Sequence, residues 1–424
     1  MREYKPRIAD TILQRKLAGK GAVLIEGPKW CGKTTTAEKA AQSTLYMADP
    51  ENEKQNLMLA DINPKLLLQG DAPRLIDEWQ VAPKLWDAVR YEVDHRDEEG
   101  QFILTGSAVP PNNEEIKHTG TGRFSWLLMR PMSLFESGEA EGSVSLTDLF
   151  SGKQDIMGIN PFDIHRLAFL VCRGGWPRAS FLKDEIALDQ AYDYYDAIVH
   201  ADISRVDGVK RDAERVKRLM RSYARNQGAQ ISNEALKADM EQNDVSSLDA
   251  NTVMSYINAL KKIFVIEEMP AWNPNLRSKT SIRSAYTRYF IDPSIAVAAL
   301  GVGPNDLLDD LNTFGLLFET MCVRDLRVFA DALHGSVYHY RDKTGLECDA
   351  VIHLRKGAYG LIEIKLGGDA AIEHGAETLK KLRDKIDTDK MKAPAFLMVL
   401  TGTSQYAFQR KDGVYVVPIG CLRN

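Results

Sequence analysis

Short unbroken apolar runs alternate, in the first third of the chain, with stretches whose apolar residues recur at helical spacing. Ile8, Ile12, Leu13 and Leu17 share one side of a helix within residues 1–20. Ala22-Val23-Leu24-Ile25 follows, with the length and β-branched content of a buried strand. Thr35–Ala41 reads as a helix, Thr44–Met47 as a second strand, and Leu75-Ile76 and Phe102–Leu104 as two more, with a polar helical stretch after Pro50. This alternation predicts an α/β architecture: a parallel sheet with helices on both faces and sites at the carboxyl ends of the strands.

The pattern then changes. Residues 140–160 are polar and glycine-rich and read as a linker. Helical periodicity dominates over 163–173, 184–206 and 211–227, then Asn233–Met240 and Asp249–Leu260. Phe264-Val265-Ile266 and Thr287–Ile291 add two strands, and the group resembles a winged helix. A helix over Leu311–Phe329 and strands over Ser336–Arg341, Glu347–Leu354 and Ala358–Lys365 open a third, α/β unit. The expected domains are therefore 1–150, 160–300 and 301–424.

Between the first strand and its helix stands Gly27-Pro28-Lys29-Trp30-Cys31-Gly32-Lys33-Thr34, followed by Thr35. It fits G-x-x-x-x-G-K-[ST] in the strand–loop–helix context that this phosphate-binding motif requires. The two glycines permit a tight loop whose N–H groups turn toward phosphate oxygens, and the helix N-terminus adds its dipole. Lys33 is expected to reach the β- and γ-phosphates of ATP, and the Thr34 hydroxyl to ligate Mg²⁺. Leu75-Ile76-Asp77-Glu78 is the expected partner, with Asp77 holding Mg²⁺ and Glu78 polarising the attacking water. Ser107, at the end of the Phe102 strand, is a candidate to orient water. Arg123 and then Arg130 are candidates for a γ-phosphate contact, in cis or from a neighbouring subunit.

Composition narrows the class. The chain has 424 residues, 44% hydrophobic and 27% charged, too long for one core and typical of a soluble protein. No apolar run reaches membrane-spanning length, and the five scattered cysteines have no zinc or disulfide spacing, so a cytoplasmic protein without membrane insertion is expected. The net charge of −5 argues against a general nucleic-acid coat. Basic residues nevertheless gather over 205–225 and at Arg277, Lys279, Arg283 and Arg288, where they suit DNA phosphates. Protein docking is the other reading of that region, and homo-oligomerisation would accompany an arginine supplied in trans.

The ordered series GPKWCGKTT, LIDEWQVAPKLWDAVR, FILTGSA and GRFSWLLMRPMSLFE resembles the AAA+-type ATPases that carry a DUF4143 domain. Gly174-Gly175-Trp176-Pro177, Asn251–Ile257, Tyr289–Pro293 and Leu361–Lys365 extend that resemblance over nearly the whole chain. In the last unit, Asp349 and Glu363 fall on adjacent expected strands, and alternation puts Glu363 and Lys365 on one face. With Glu319 on the preceding helix, the order is similar to the PD-(D/E)XK nuclease superfamily. That similarity implies a divalent metal at Glu319, Asp349 and Glu363, with Lys365 beside it. Two functions follow. One is an Mg²⁺-dependent ATPase coupled to DNA binding or processing. The other is a nucleotide-controlled switch for protein partners with an inert nuclease-like domain. A small-molecule P-loop kinase is disfavoured because no acceptor pocket or lid is found.

Overall fold

The computed structural model describes residues 3–106, 119–153, 155–241, 249–274 and 285–424. Helix α1 (Ile8–Leu17) leads into β1 (Ala22–Glu26). Helix α2 (Lys33–Ala40), β2 (Ser43–Tyr46), α3 (Glu53–Ile62), β3 (Arg74–Asp77), α4 (Lys84–Arg96), β4 (Phe102–Gly106) and β5 (Phe124–Leu128) follow. The strands form one parallel sheet in the order β2-β3-β4-β1-β5. Alternation along β1 and β4 divides the core. Leu24, Phe102 and Leu104 pack with Leu85, Trp86 and Val89 of α4, whereas Val23, Ile25 and Ile103 pack with Ile12, Leu13 and Leu17 of α1.

The expected linker over 140–160 is not a loose tether. It contains β6 (Val144–Ser145), helix α5 (Leu146–Phe150) and β7 (Gly158–Ile159). Leu146 and Leu149 are buried, because the segment is built into the last unit of the chain. The helical unit that follows comprises α6 (Ile164–Arg173), α7 (Asp184–Ala197), a π-helical turn (Ile198–Asp202), α8 (Ile203–Arg205), α9 (Ala213–Arg225), α10 (Asn233–Glu241) and α11 (Ala250–Lys262). The two strands expected after it are reduced to single bridges, Ile266 with Phe290 and Met269 with Thr287. Helix α12 (Pro293–Leu300) and the short α13 (Pro304–Asp309) close this part.

Helix α14 (Leu311–Ala332) then backs a sheet made of β8 (Gly335–Arg341), β9 (Glu347–Leu354), β10 (Tyr359–Lys365), β11 (Phe396–Thr401), β12 (Tyr406–Gln409) and β13 (Tyr415–Pro418), with helix α15 (Asp369–Lys385) crossing from β10 to β11. The order is β7-β12-β13-β11-β10-β9-β8, and β14 (Leu422–Arg423) pairs separately with β6. Ile362, Ile364, Met398 and Leu400 join the core that contains α14. Leu361, Leu397 and Val399 join that of α15.

The three parts meet at Arg324 of α14, which is 2% exposed. Its Nη1 donates to Asp292 Oδ2 at 2.8 Å and its Nε to Asp325 Oδ1 at 2.9 Å. Asp325 also accepts from the Leu134 N–H at 2.9 Å, and Asp292 from the Gly175 N–H at 2.9 Å. Removing the cation would leave two buried carboxylates without their counter-charge. Arg324→Ala is expected to cost about 3–5 kcal/mol of unfolding free energy, measured by urea denaturation.

Candidate nucleotide site

The end of β1 runs into a loop that only particular residues can make. Gly27 has φ +149°, and a Cβ there would stand 2.1 Å from the Met129 carbonyl oxygen. Gly32, with φ +100°, turns the chain into α2. Inside the loop the Lys33 ammonium donates to the carbonyls of Gly27 at 2.9 Å and Pro28 at 2.8 Å. Cys31 is fully buried and its thiol donates to Met129 O at 3.3 Å, so it fills the loop instead of serving as an exposed nucleophile.

The order of the sheet brings the acidic partner to the same edge. Strand β4 lies between β1 and β3, and Asp77 ends β3. Asp77 Oδ1 accepts from the Thr34 hydroxyl at 2.8 Å and from the Thr105 hydroxyl at 2.5 Å. Thr34 and Asp77 are hard oxygen donors held side by side, which fits Mg²⁺. Glu78 follows in a left-handed conformation, φ +55°, and accepts from the Gln80 amide. Lys33, Thr34, Thr35 and Glu78 line a cleft of about 1220 Å³, whose other wall is Trp176, Pro177 and Arg178.

Both expected arginines are engaged by acids of this chain. Arg123 precedes β5, whose Phe124 pairs with Ala22 at the start of β1, so it sits at the sheet edge opposite the loop. There it forks onto Asp94, at 2.7 and 3.2 Å, and cannot reach this chain's own cleft. Arg130 is at the correct edge, but its guanidinium is consumed by Glu267 at 2.7 and 2.5 Å and by Asp331 at 2.5 Å. It clamps the first unit to the rest of the chain. Ser107 lies outside the described residues, as do Arg277, Lys279 and Arg283.

Sequence reading passed over three groups at this cleft or on its loop. Arg178 is exposed on the far wall and has no protein partner among the described residues. Its only signal is its place directly after the Gly-Gly-Trp-Pro turn. Arg7, buried, donates to Cys31 O at 2.8 Å and Arg130 O at 2.8 Å and pairs with Glu136 at 3.1 Å, so it steadies the loop from below. Asp202 of the π-helical turn holds Lys29 of the loop at 2.6 Å. No local pattern marks either.

At the second predicted site the strands do place Asp349 and Glu363 together, since β9 and β10 are antiparallel with Ile362 opposite Ala350. The Lys365 ammonium stands within 3.0 Å of Asp349 Oδ2 and 2.7 Å of Glu363 Oε2, and Glu319 accepts from the Tyr289 hydroxyl at 2.5 Å. Among the described residues no group of three or more His, Cys, Asp or Glu is arranged to hold a metal ion. The expected set of Glu319, Asp349 and Glu363 with Lys365 beside it does stand together. Lys365 bridges two of the acids, and Tyr289 takes one oxygen of the third. Burial and the nearby Asp349 push the Glu319 carboxyl up to about 8 and raise Glu363 in the same way.

The parallel sheet, the glycine-bounded loop and the Thr34–Asp77 pair define a P-loop nucleotide-binding core. Residues 19–137 match the family model described as AAA domain, 164–306 one described as a domain of unknown function (DUF8612), and 314–422 the domain of unknown function DUF4143. The chain thus carries an AAA-type P-loop ATPase domain and a C-terminal DUF4143 domain. It is 25% identical over 362 residues to an uncharacterized protein of Mycobacterium tuberculosis and equally to one of Mycobacterium bovis, spanning 85% of this chain and 73% of each relative. Among solved structures, a RuvB variant of Thermotoga maritima aligns over 62% of this chain and 88% of its own, with 17% identity and a TM-score of 0.27. A signal-transduction ATPase with a tetratricopeptide sensor from Pyrococcus horikoshii aligns over 78% and 50%, with 14% identity and a TM-score of 0.24. Among the described residues no helix is long and apolar enough to cross a membrane, and the five cysteines are free and buried.

A carboxyl whose folded pKa is raised contributes stability that is complete below its unfolded pKa and disappears as pH climbs through the folded value. For Glu319 that window runs from its ordinary 4.5 to about 8. Wild-type stability, from urea melts at pH 5.5, 7 and 8.5, should therefore fall with rising pH, and Glu319→Gln should flatten the slope. An unchanged slope in the variant would separate Glu319 from the effect.

Proposed function

We propose that this protein is a Mg²⁺-dependent ATPase that works as a nucleotide-controlled switch. Supporting it most directly is the junction of Lys33, Thr34, Asp77 and Glu78 at the floor of a cleft whose opposite wall belongs to the helical unit. Bound there, the metal would neutralise charge on the β- and γ-phosphates. Thr34 and Asp77 would hold it, and Lys33 would exchange its two carbonyl partners for phosphate oxygens. Glu78 would take the proton of the attacking water, and Arg178 would carry charge stabilisation from the far wall. A wall contributed by another unit makes closure dependent on nucleotide, which is what a switch requires. The occupation of Asp349 and Glu363 by Lys365 supports a partner-binding role for the last domain over a cleaving one.

DNA is the second partner class, favoured by one observation. On α9, Lys217, Arg221 and Arg225 recur every four residues on a single side; Arg221 and Arg225 are exposed, while Val216, Leu219, Met220 and Tyr223 are buried behind them. Such a row would grip phosphates without reading bases.

Lys33→Ala should abolish MgATP binding, whereas Glu78→Gln should keep binding and lose roughly a hundredfold or more in turnover. Arg178→Ala should lower kcat more than it raises KM, because its charge would act on the transition state. Steady-state ATPase assays with and without duplex DNA separate the partner classes. Stimulation that Arg221→Ala/Arg225→Ala removes supports DNA, and turnover indifferent to DNA supports a protein partner. Nucleotide affinity unaltered by Lys33→Ala would refute the site.

A further inference from the structure

Two of the loop's variable residues, Lys29 and Trp30, reach out of the ATP-binding unit. The Lys29 ammonium pairs with Asp202 at 2.6 Å, and Asp202 is 8% exposed with no other side-chain partner among the described residues. The Trp30 ring lies against Tyr194, with centroids 5.4 Å apart, and Tyr194 lies in turn against Trp176 at 4.5 Å. The Lys29 backbone N–H also bears on the Tyr194 hydroxyl. Trp30 is half-exposed at the cleft and has φ +65°, a left-handed conformation unfavourable for any residue with a Cβ. A strained residue persists only where its surroundings hold it. Here the holding groups sit on α7 and on the last residue of the π-helical turn, an irregularity that is common at functional sites.

We propose that Asp202 and Tyr194 are positioning residues for the nucleotide. The helical unit grips Lys29 and Trp30 and keeps the phosphate-binding loop in its receptive shape. This rests on the ATP-binding reading above. Thr34 is already joined to Asp77 in the gripped loop, and Lys33 rests on two loop carbonyls from which it would turn to phosphate, so the grip sets the frame in which that exchange takes place. Nucleotide affinity and the seating of the helical unit are therefore linked. By reciprocity, nucleotide binding must tighten the grip by the factor that the grip tightens binding.

The test is a double-mutant cycle on the full chain, with MgADP titrated by calorimetry and the unfolding midpoint recorded without nucleotide. Asp202→Asn and Lys29→Met should each weaken MgADP binding by about fivefold, the scale of one partly exposed ion pair. The double variant should bind no more weakly than either single one, and Lys29→Arg should retain affinity. Trp30→Ala, which removes the ring contact from the exposed side, should weaken binding as well. Wild-type affinity in Asp202→Asn would overturn the proposal, since Lys29 would then act alone. A double variant whose loss is the product of the two single losses would do the same, as would lowered midpoints with unchanged affinity. Wild type that takes up no MgADP would overturn the nucleotide reading itself, a result distinct from any of these.

Discussion

A single buried guanidinium, that of Arg324, is the constraint on which the arrangement of the units depends. Its two acid partners each pass the charge on through a backbone N–H, one at Leu134 beside the ATPase sheet and the other at Gly175. Gly175 begins the turn that presents Trp176, Pro177 and Arg178 to the cleft, and Trp176 is fixed again by its indole N–H on the Ser294 hydroxyl at 2.9 Å. The far wall of the nucleotide cleft is therefore seated on a helix of the DUF4143 domain. Arg130 makes a second bond of the same kind from the other side, and Arg327 of that helix shares its Glu267 at 3.5 Å. Buried pairs of this sort are costly to desolvate and stringent in geometry, so they specify one docking arrangement more than they add stability.

What was legible in the sequence follows from how locally each feature is encoded. The phosphate loop is written in consecutive residues because its conformation needs glycine at Gly27, where the Met129 carbonyl excludes a Cβ. Asp77 was legible because a short apolar strand ends on it. The groups that complete the cleft come from far along the chain and have no neighbouring signature. Arg178 reaches it, and Asp202 reaches its loop, only through the docking of a helical unit, which periodicity cannot place. Arg123 shows the complementary case, for this chain's own cleft. It lies before a strand parallel to β1, so its position at the amino end of the sheet already set it away from a site at the carboxyl ends. Arg130 stands at the right edge, and only the tertiary partners Glu267 and Asp331 reveal that its charge is taken.

The cluster around Lys365 obeys a simple rule of charge. Three carboxyl groups near one another need a compensating cation, a proton or both. Strand alternation foretold that Glu363 and Lys365 would share a face, and β9 delivers Asp349 to them. The outcome turned on one rotatable side chain. Lys365 lies between Asp349 and Glu363 and Tyr289 donates to Glu319, while the remaining repulsion holds the Glu319 and Glu363 carboxyls above their ordinary range. Nothing in Glu-x-Lys specifies which way that lysine swings.

The segment after the ATPase sheet is woven into the far end of the chain. Val144 pairs with Leu422, Ile159 with Tyr406, and the Glu141 N–H donates to Gly420 O. The helical unit between them is in effect an insertion into the DUF4143 domain's own architecture. During synthesis, residues near 145 leave the ribosome long before those near 420, and pairings so distant in sequence close slowly. Leu146 and Leu149 would stay uncovered throughout that interval. The nascent chain thus holds a completed ATPase sheet flanked by a sticky, unfinished edge. The domain on which the cleft's far wall is seated is the last to be assembled, and it is finished only when its final strands return to the segment beside the first.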